Sequence, residues 1–245
     1  MAIQDDIKKI LDAVEEIPTD SIEICLNYKS ESIPHLLKIV DNVLEEGYLA
    51  QYEGSLGPIL SILMLSELQE KELFSRVVAL FDCDLELLEV VFGDSYEALF
   101  PIVLGSVCEE PALLDAIIDD EEQSELAISS TIQAYLTLVQ RGVLDREVCL
   151  KKFKNLYVRD DMSPFTLGIA TACVLNIHPR SIESSIRNAY KNESINEDMI
   201  PVELVDRVLK QKKDKIMKRF AEDKRFMPIT DSIAYFNEYI NSIED

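Results

Sequence analysis

Two histidines and five cysteines are the side chains best suited to hold a metal or attack a carbon centre, and their spacing argues against the compact form of either chemistry. His35 and His178 lie far apart, and no CxxC, HxxxH or ExxH occurs, so a zinc site would need ligands from distant segments. His35 falls in the first turn of an expected helix and His178 precedes Pro179, so both read as capping or surface histidines. The run Asp82-Cys83-Asp84-Leu85-Glu86 places carboxylates at positions 1, 3 and 5 of a calcium loop. Its sixth position is Leu87 rather than glycine and its twelfth is Gly93 rather than glutamate, which disables the loop and leaves Asp84 as a helix N-cap. There is no GxSxG and no Cys–His pair close in sequence. Cys108 stands before Glu109-Glu110-Pro111, whose charges disfavour a thiolate. No two of the seven glycines fall in a phosphate-cradling frame. Among 46 acidic residues no acid/base pair stands out, so no catalytic, cofactor or metal residue is assigned.

Charge carries a sharper signal. Over 207–225, Arg207, Lys210, Lys212, Lys213, Lys215, Lys218, Arg219, Lys224 and Arg225 outnumber Asp214, Glu222 and Asp223 by nine to three. A basic amphipathic helix can dock on an anionic membrane, a nucleic acid or an acidic protein groove, or it can simply be a solvated face. Lys210, Lys212, Lys213, Lys215, Lys218 and Arg219 are the candidate partner-binding residues, together with Asp119, Asp120, Glu121 and Glu122, the most polar run in the chain. That acidic run is expected to form the N-cap and first turn of the helix near Ser124, where the macrodipole favours anions.

The net charge of −22 is unevenly placed: residues 1–126 carry 29 acidic and 6 basic side chains, and residues 127–245 carry 17 and 18. The acidic half repels phosphates and anionic membranes, and the lysines lack interleaved aromatics, so nucleic acid is not an expected partner. Acidic faces can also serve only to keep an apolar fold soluble. No apolar stretch approaches the ~18 residues needed to span a bilayer. The first residues carry no secretory h-region. The odd, scattered cysteines read as reduced core thiols, which places the expected location in the cytoplasm.

The elements that must position these residues are helical. Only 7 glycines and 9 prolines punctuate 245 residues, and 47% of the chain is hydrophobic. An opening helix is expected over 3–16, a short one over 22–28 with caps among Thr19-Asp20-Ser21, and a third capped by Ser32 with Pro34 in its first turn and Gly47 as its stop. Residues 48–55 read as a turn-rich connection. Paired apolar stripes follow: 57–68 with 70–81, 94–107 with 111–118, 124–139 with 146–157, and 164–175 with 181–190. Pro101 is expected to kink or divide the stretch from Asp94. The second members begin at 70, 111, 146 and 181, a spacing of 41, 35 and 35 residues. Two-helix repeats of ~33–47 residues mark an α-solenoid. Residues 192–200 read as a linker. A long helix is expected from Pro201 to about Asp223, and a final one over 231–243 with Ile233, Phe236, Tyr239 and Ile240 inward.

Several segments resemble a bacterial family of uncharacterised helical proteins with HEAT-like repeats. These are Ser32-Ile33-Pro34-His35-Leu36-Leu37-Lys38-Ile39-Val40, then 57–81, then Phe92-Gly93-Asp94-Ser95-Tyr96 on to Pro101, then 129–157. The resemblance implies an α-solenoid and no particular reaction. Some relatives carry a cysteine-rich metal-binding tail; nothing after Cys173 is a cysteine, so that tail is lacking from this sequence.

The expected protein is therefore all-α: a HEAT-like α-solenoid over 1–191, a linker over 192–200, and a C-terminal helical pair over 201–245. The expected role is a non-enzymatic protein-interaction module, with a regulatory subunit whose basic C-terminal helix docks an acidic surface as the second binding role. The alternative is an enzyme whose site is assembled from distant residues on the concave face.

Overall fold

The computed structural model describes residues 3–45, 54–93 and 96–243, with side chains described to residue 238. Gly47 as a helix stop, most of the 48–55 connection, Asp94 as a helix start and the inward Tyr239 and Ile240 lie outside the described residues. Within them the protein is all-α, with fifteen α-helices, two 3-10 turns and no strand. The chain folds as two compact units, Met1–Glu109 with Pro228–Asp245, and Glu110–Met227.

The first unit holds α1 (Ile3–Leu11), α2 (Thr19–Asn27), α3 (Lys29–Leu44), α4 (Gly57–Glu67), α5 (Glu72–Leu80), α6 (Leu85–Phe92), α7 (Tyr96–Val107) and the final α15 (Ser232–Ile243). Its centre is α4. That helix is apolar all round, so it must be buried on every side. Leu60, Ile62, Leu63, Met64 and Leu65 are all at most 1% exposed, and α1, α3, α5, α6, α7 and α15 pack around them. Phe100 of α7 sits among Phe81, Phe92 and Tyr96, edge-on to the first two.

Several expected boundaries move. Helix α1 stops at Leu11 rather than near residue 16, because Ser55 donates its hydroxyl to Leu11 O (2.6 Å) and Leu56 N–H bonds Ala13 O (2.8 Å). The close approach also requires a glycine: a Cβ on Gly57 would lie 3.0 Å from the Leu11 backbone. Val14, beyond the end of α1, is 60% exposed. Ser32 does not cap a helix. It lies inside α3 and donates to Cys25 O (2.8 Å) and Tyr28 O (3.0 Å), while Pro34 is the sixth residue of that helix. Helix α7 runs unbroken through Pro101, since burial of Phe100, Ile102, Val103 and Leu104 outweighs the ~3 kcal/mol that an interior proline costs.

The second unit holds α8 (Pro111–Asp119), α9 (Glu125–Gln140), α10 (Arg146–Leu156), α11 (Pro164–Asn176), a 3-10 turn (Arg180–Ile182), α12 (Glu183–Lys191), α13 (Val202–Leu209), α14 (Lys213–Ala221) and a 3-10 turn (Lys224–Phe226). Its helix starts follow capping rules. Ser124 accepts Ala127 N–H (3.2 Å), Asp145 accepts Glu147 N–H (2.8 Å), and Ser163 accepts Thr166 N–H (3.0 Å). Pro111 and Pro164 occupy first-turn positions. Helix α9 packs on α8, α10 and α11 and on the turn at Lys224–Phe226. Residues 192–200 contain no helix. They rest on α11: Asn196 N–H bonds Pro164 O, Ile195 is 4% exposed, and the Met199 sulfur covers Gly168.

The segment expected as a C-terminal pair contributes to both units. Helices α13 and α14 belong to the second, and α15 belongs to the first, where Glu67 accepts Ser232 N–H (2.7 Å) and Ser106 accepts Ile229 N–H (2.9 Å).

Candidate interaction surface

The single long basic helix expected from Pro201 is two helices. Continuous helix would pair Leu209 O with Lys213 N–H and Gln211 O with Lys215 N–H. Both carbonyls are instead taken from outside. Arg180 donates Nη2–H to Leu209 O, and the His178 Nε2 lies 3.3 Å from Gln211 O. Lys212 turns extended (φ −71°, ψ 138°), and α14 starts after it.

A polar knot holds these groups in place. Arg146, at the start of α10, donates to Ile177 O (2.6 Å) and to His178 O. His178 has φ +56°, a left-handed conformation that histidine tolerates better than branched residues do. It is 7% exposed, so the expectation of a capping or surface histidine is corrected: it is a buried junction residue. Burial lowers its pKa below the ordinary 6.5; the contact with Gln211 O pulls the other way, and the nearby Arg146, Arg180 and Lys213 add to the lowering. A neutral ring with a proton on Nε2 satisfies Gln211 O. Sequence reasoning missed Arg146 and Arg180, because their acceptors are backbone carbonyls about 30 residues away in the chain, as with the Arg180–Leu209 separation of 29.

The break leaves Lys210, Lys212, Lys213, Lys215, Lys218 and Arg219 all exposed. Lys213 lies 3.7 Å from Glu147. The other five make no ion pair among the described residues. The inward side of the same helices is apolar: Val205, Val208, Leu209, Ile216 and Phe220 are all at most 5% exposed. The cations are therefore carried on anchored helices.

The acidic run sits elsewhere than expected. Asp119 ends α8 and Asp120 is its C-cap, so the run occupies the turn between helices, and Ser124 takes the N-cap. Asp120 accepts Glu122 N–H (3.0 Å) and the Gln123 side-chain amide (3.3 Å). Arg159 pairs with Asp119 at 2.7 Å and offsets an anion at the unfavourable end of a helix. All four carboxylates are exposed.

Other polar clusters read as structure. Asp115 accepts from Tyr135 and from Lys152 (2.6 Å), joining α8, α9 and α10. Burial, then the bond to Asp115, pushes the Tyr135 phenol far above its ordinary value, so it holds its proton. A cleft of about 470 Å³ opens between α11, α12 and the 157–162 turn, with Arg159, Asp160, Ser185, Asn188, Asn192 and Ser194 on its walls. These groups offer hydrogen bonds more than acid–base chemistry. Cys25, Cys108, Cys149 and Cys173 are buried and Cys83 is half-buried, and none of the five is in a disulfide. Cys108, at the junction immediately after α7, is 1% exposed. Burial raises the Cys25, Cys83, Cys149 and Cys173 thiols, that of Cys173 to about 12. Among the described residues no three His, Cys, Asp or Glu side chains converge as a metal site, and no helix is long and apolar enough to cross a membrane.

The family model described as a protein of unknown function, DUF1186, matches residues 1–242. The chain belongs to the DUF1186 family. A protein from Chlamydia trachomatis serovar D, described as uncharacterized, is 20% identical over 196 residues, covering 79% of this chain and 78% of that protein. One from Chlamydia muridarum with the same description is 19% identical over 196 residues, covering 79% of each. No solved structure matches the chain. The chain thus has bacterial homologues, and the family match reaches well beyond the segments that carried the resemblance.

Proposed function

We propose that this DUF1186 protein is a non-enzymatic interaction module of the bacterial cytoplasm, built as an α-solenoid of HEAT-like hairpins, whose basic surface on α13 and α14 docks a carboxylate-rich protein. The packing of α9 on both sequence neighbours and on α11 supports the repeat reading. The observation that carries the docking reading is the set of five exposed cations, Lys210, Lys212, Lys215, Lys218 and Arg219, with no ion pair among the described residues. The second unit holds 20 acidic and 18 basic residues, net −2, so this patch is not overwhelmed by its own surroundings. The first unit holds 26 and 6, net −20, which makes a second copy of the chain one source of the complementary surface.

The test reverses Lys210, Lys212, Lys215 and Lys218 to Glu and leaves Lys213 to its Glu147 pair. Exposed pairs contribute ~0–1 kcal/mol each and are screened by salt. Four together predict roughly 5- to 100-fold weaker association at low ionic strength and a much smaller loss at ~1 M salt, where the Debye length is ~3 Å. Native pull-down identifies a distinct partner, and light scattering identifies self-association. A variant matching the wild type in both at low salt refutes the docking surface.

A further inference from the structure

We propose that a pocket in the first unit, lined by Ile3, Asp6, Ile24, Tyr28 and Glu31, binds a primary alkylammonium group, the end of a lysine side chain on a partner protein. The pocket is about 310 Å³, near the small end for ligand sites. One lining residue, Asp6, is anomalous. Asp6 stands on the apolar stripe of α1, one turn from Ile3 and from Ile10, and is 1% exposed. Its Oδ1 accepts the Ser21 hydroxyl (2.9 Å) and the Lys9 ammonium (3.2 Å). Its Oδ2 is buried and has no hydrogen-bond partner. The Ser21 bond above all, and Lys9 after it, hold the Asp6 carboxyl below its ordinary 3.8, so it is ionised at neutral pH. A buried, ionised oxygen without a donor is costly, and a cation with N–H groups removes that cost.

The surroundings select the cation. Ile3 and Ile24 supply apolar wall for an alkyl stem, and Tyr28, 58% exposed, adds an aromatic side chain to the lining. One free oxygen suits a compact ammonium, whereas the guanidinium fork needs two acceptors in one plane. Only two carboxylates line the pocket, too few for a divalent ion held by protein ligands. The net −20 of this unit draws cations toward it. Because Oδ2 is closed to water, an ammonium reaches it only with movement of side chains that line the pocket. This site shares no residue with the basic surface, so the two readings fail independently.

The test titrates the ¹⁵N-labelled full chain with Nα-acetyl-lysine N-methylamide, 1,5-diaminopentane, tetramethylammonium and 1-butanol, following amide shifts by NMR. Saturable shifts confined to residues 3–31 are expected with the lysine amide, and none with butanol or with tetramethylammonium, which lacks N–H donors. Asp6→Asn should weaken binding by at least about tenfold, the loss of one charged hydrogen bond. Because Asp6→Asn also disturbs the Ser21 contact, Ile24→Phe provides a second variant that fills the pocket and leaves Asp6 intact; it should abolish the shifts while circular dichroism stays native. Saturation by the diamine without the lysine amide would reassign the source to a free polyamine and overturn the protein-partner reading. Equal response to tetramethylammonium, shifts spread over the whole acidic surface, or wild-type binding by a folded Ile24→Phe chain would overturn the site altogether.

Discussion

Arg146→Ala should loosen the basic surface from more than one turn away. The Arg146 side chain is 12% exposed and satisfies two carbonyls, of Ile177 and His178, that sit in the buried turn after α11. A buried acceptor left without a partner costs ~1–3 kcal/mol. The guanidinium reaches solvent near Glu147, so water can replace part of what is lost, and the low end of that range applies: ~1–1.5 kcal/mol for each carbonyl, ~2–3 kcal/mol for the two. His178 then loses the fixed backbone that aims its ring at Gln211 O, and the 210–212 break between α13 and α14 loses one of its two ties. At ~1.4 kcal/mol per decade the opening equilibrium rises roughly 30- to 140-fold. Hydrogen exchange read by mass spectrometry tests this locally, with peptides covering 176–182 and 202–221 compared with the α4 peptide as internal reference. Arg146→Lys should recover no more than about half of the loss, because a single ammonium cannot span two carbonyls as the fork does. Exchange in 202–221 within about threefold of wild type would refute the knot as the anchor of the basic surface. Full rescue by lysine would refute the bidentate geometry.

Acid should weaken the same junction. The folded pKa of His178 lies below its ordinary 6.5, so its contribution is complete above that pH and is lost as pH falls through the lowered value. Urea melts between pH 7 and pH 5 should show the decline, and His178→Asn, which tolerates the left-handed backbone, should flatten it. Removing the Ser124 cap by Ser124→Ala should cost ~1 kcal/mol in the same melts, and a loss indistinguishable from zero would count against the observed N-cap. Thiol labelling of the native chain should find half-buried Cys83 first, with Cys25, Cys108, Cys149 and Cys173 reacting only on denaturation. Rapid native labelling of those four would contradict their burial.

Local pattern determined the helical class and most of the helices. Apolar residues at helical spacing and scarce glycine and proline act within a few residues, so they are legible in one chain. The caps Ser124, Asp145 and Ser163 act as locally, but in the sequence the acidic run before Ser124 competes with it for the cap. The cations of 207–225 were legible for the same reason, since outward charge needs no partner to define it. Tertiary structure decided what distant groups settle. Arg180 and His178 divide the basic helix by claiming carbonyls 29 and 33 residues away, and Ser55 ends α1 from 44 residues away. Burial carries α7 through Pro101, and α15 joins the first unit through Glu67, 165 residues before Ser232. Asp6 left a trace in the sequence, a carboxylate on an apolar stripe. Only the fold placed Ser21 on one of its oxygens and a pocket beside a carboxylate whose other oxygen no donor reaches, because hydrogen-bond satisfaction is a property of three-dimensional neighbours.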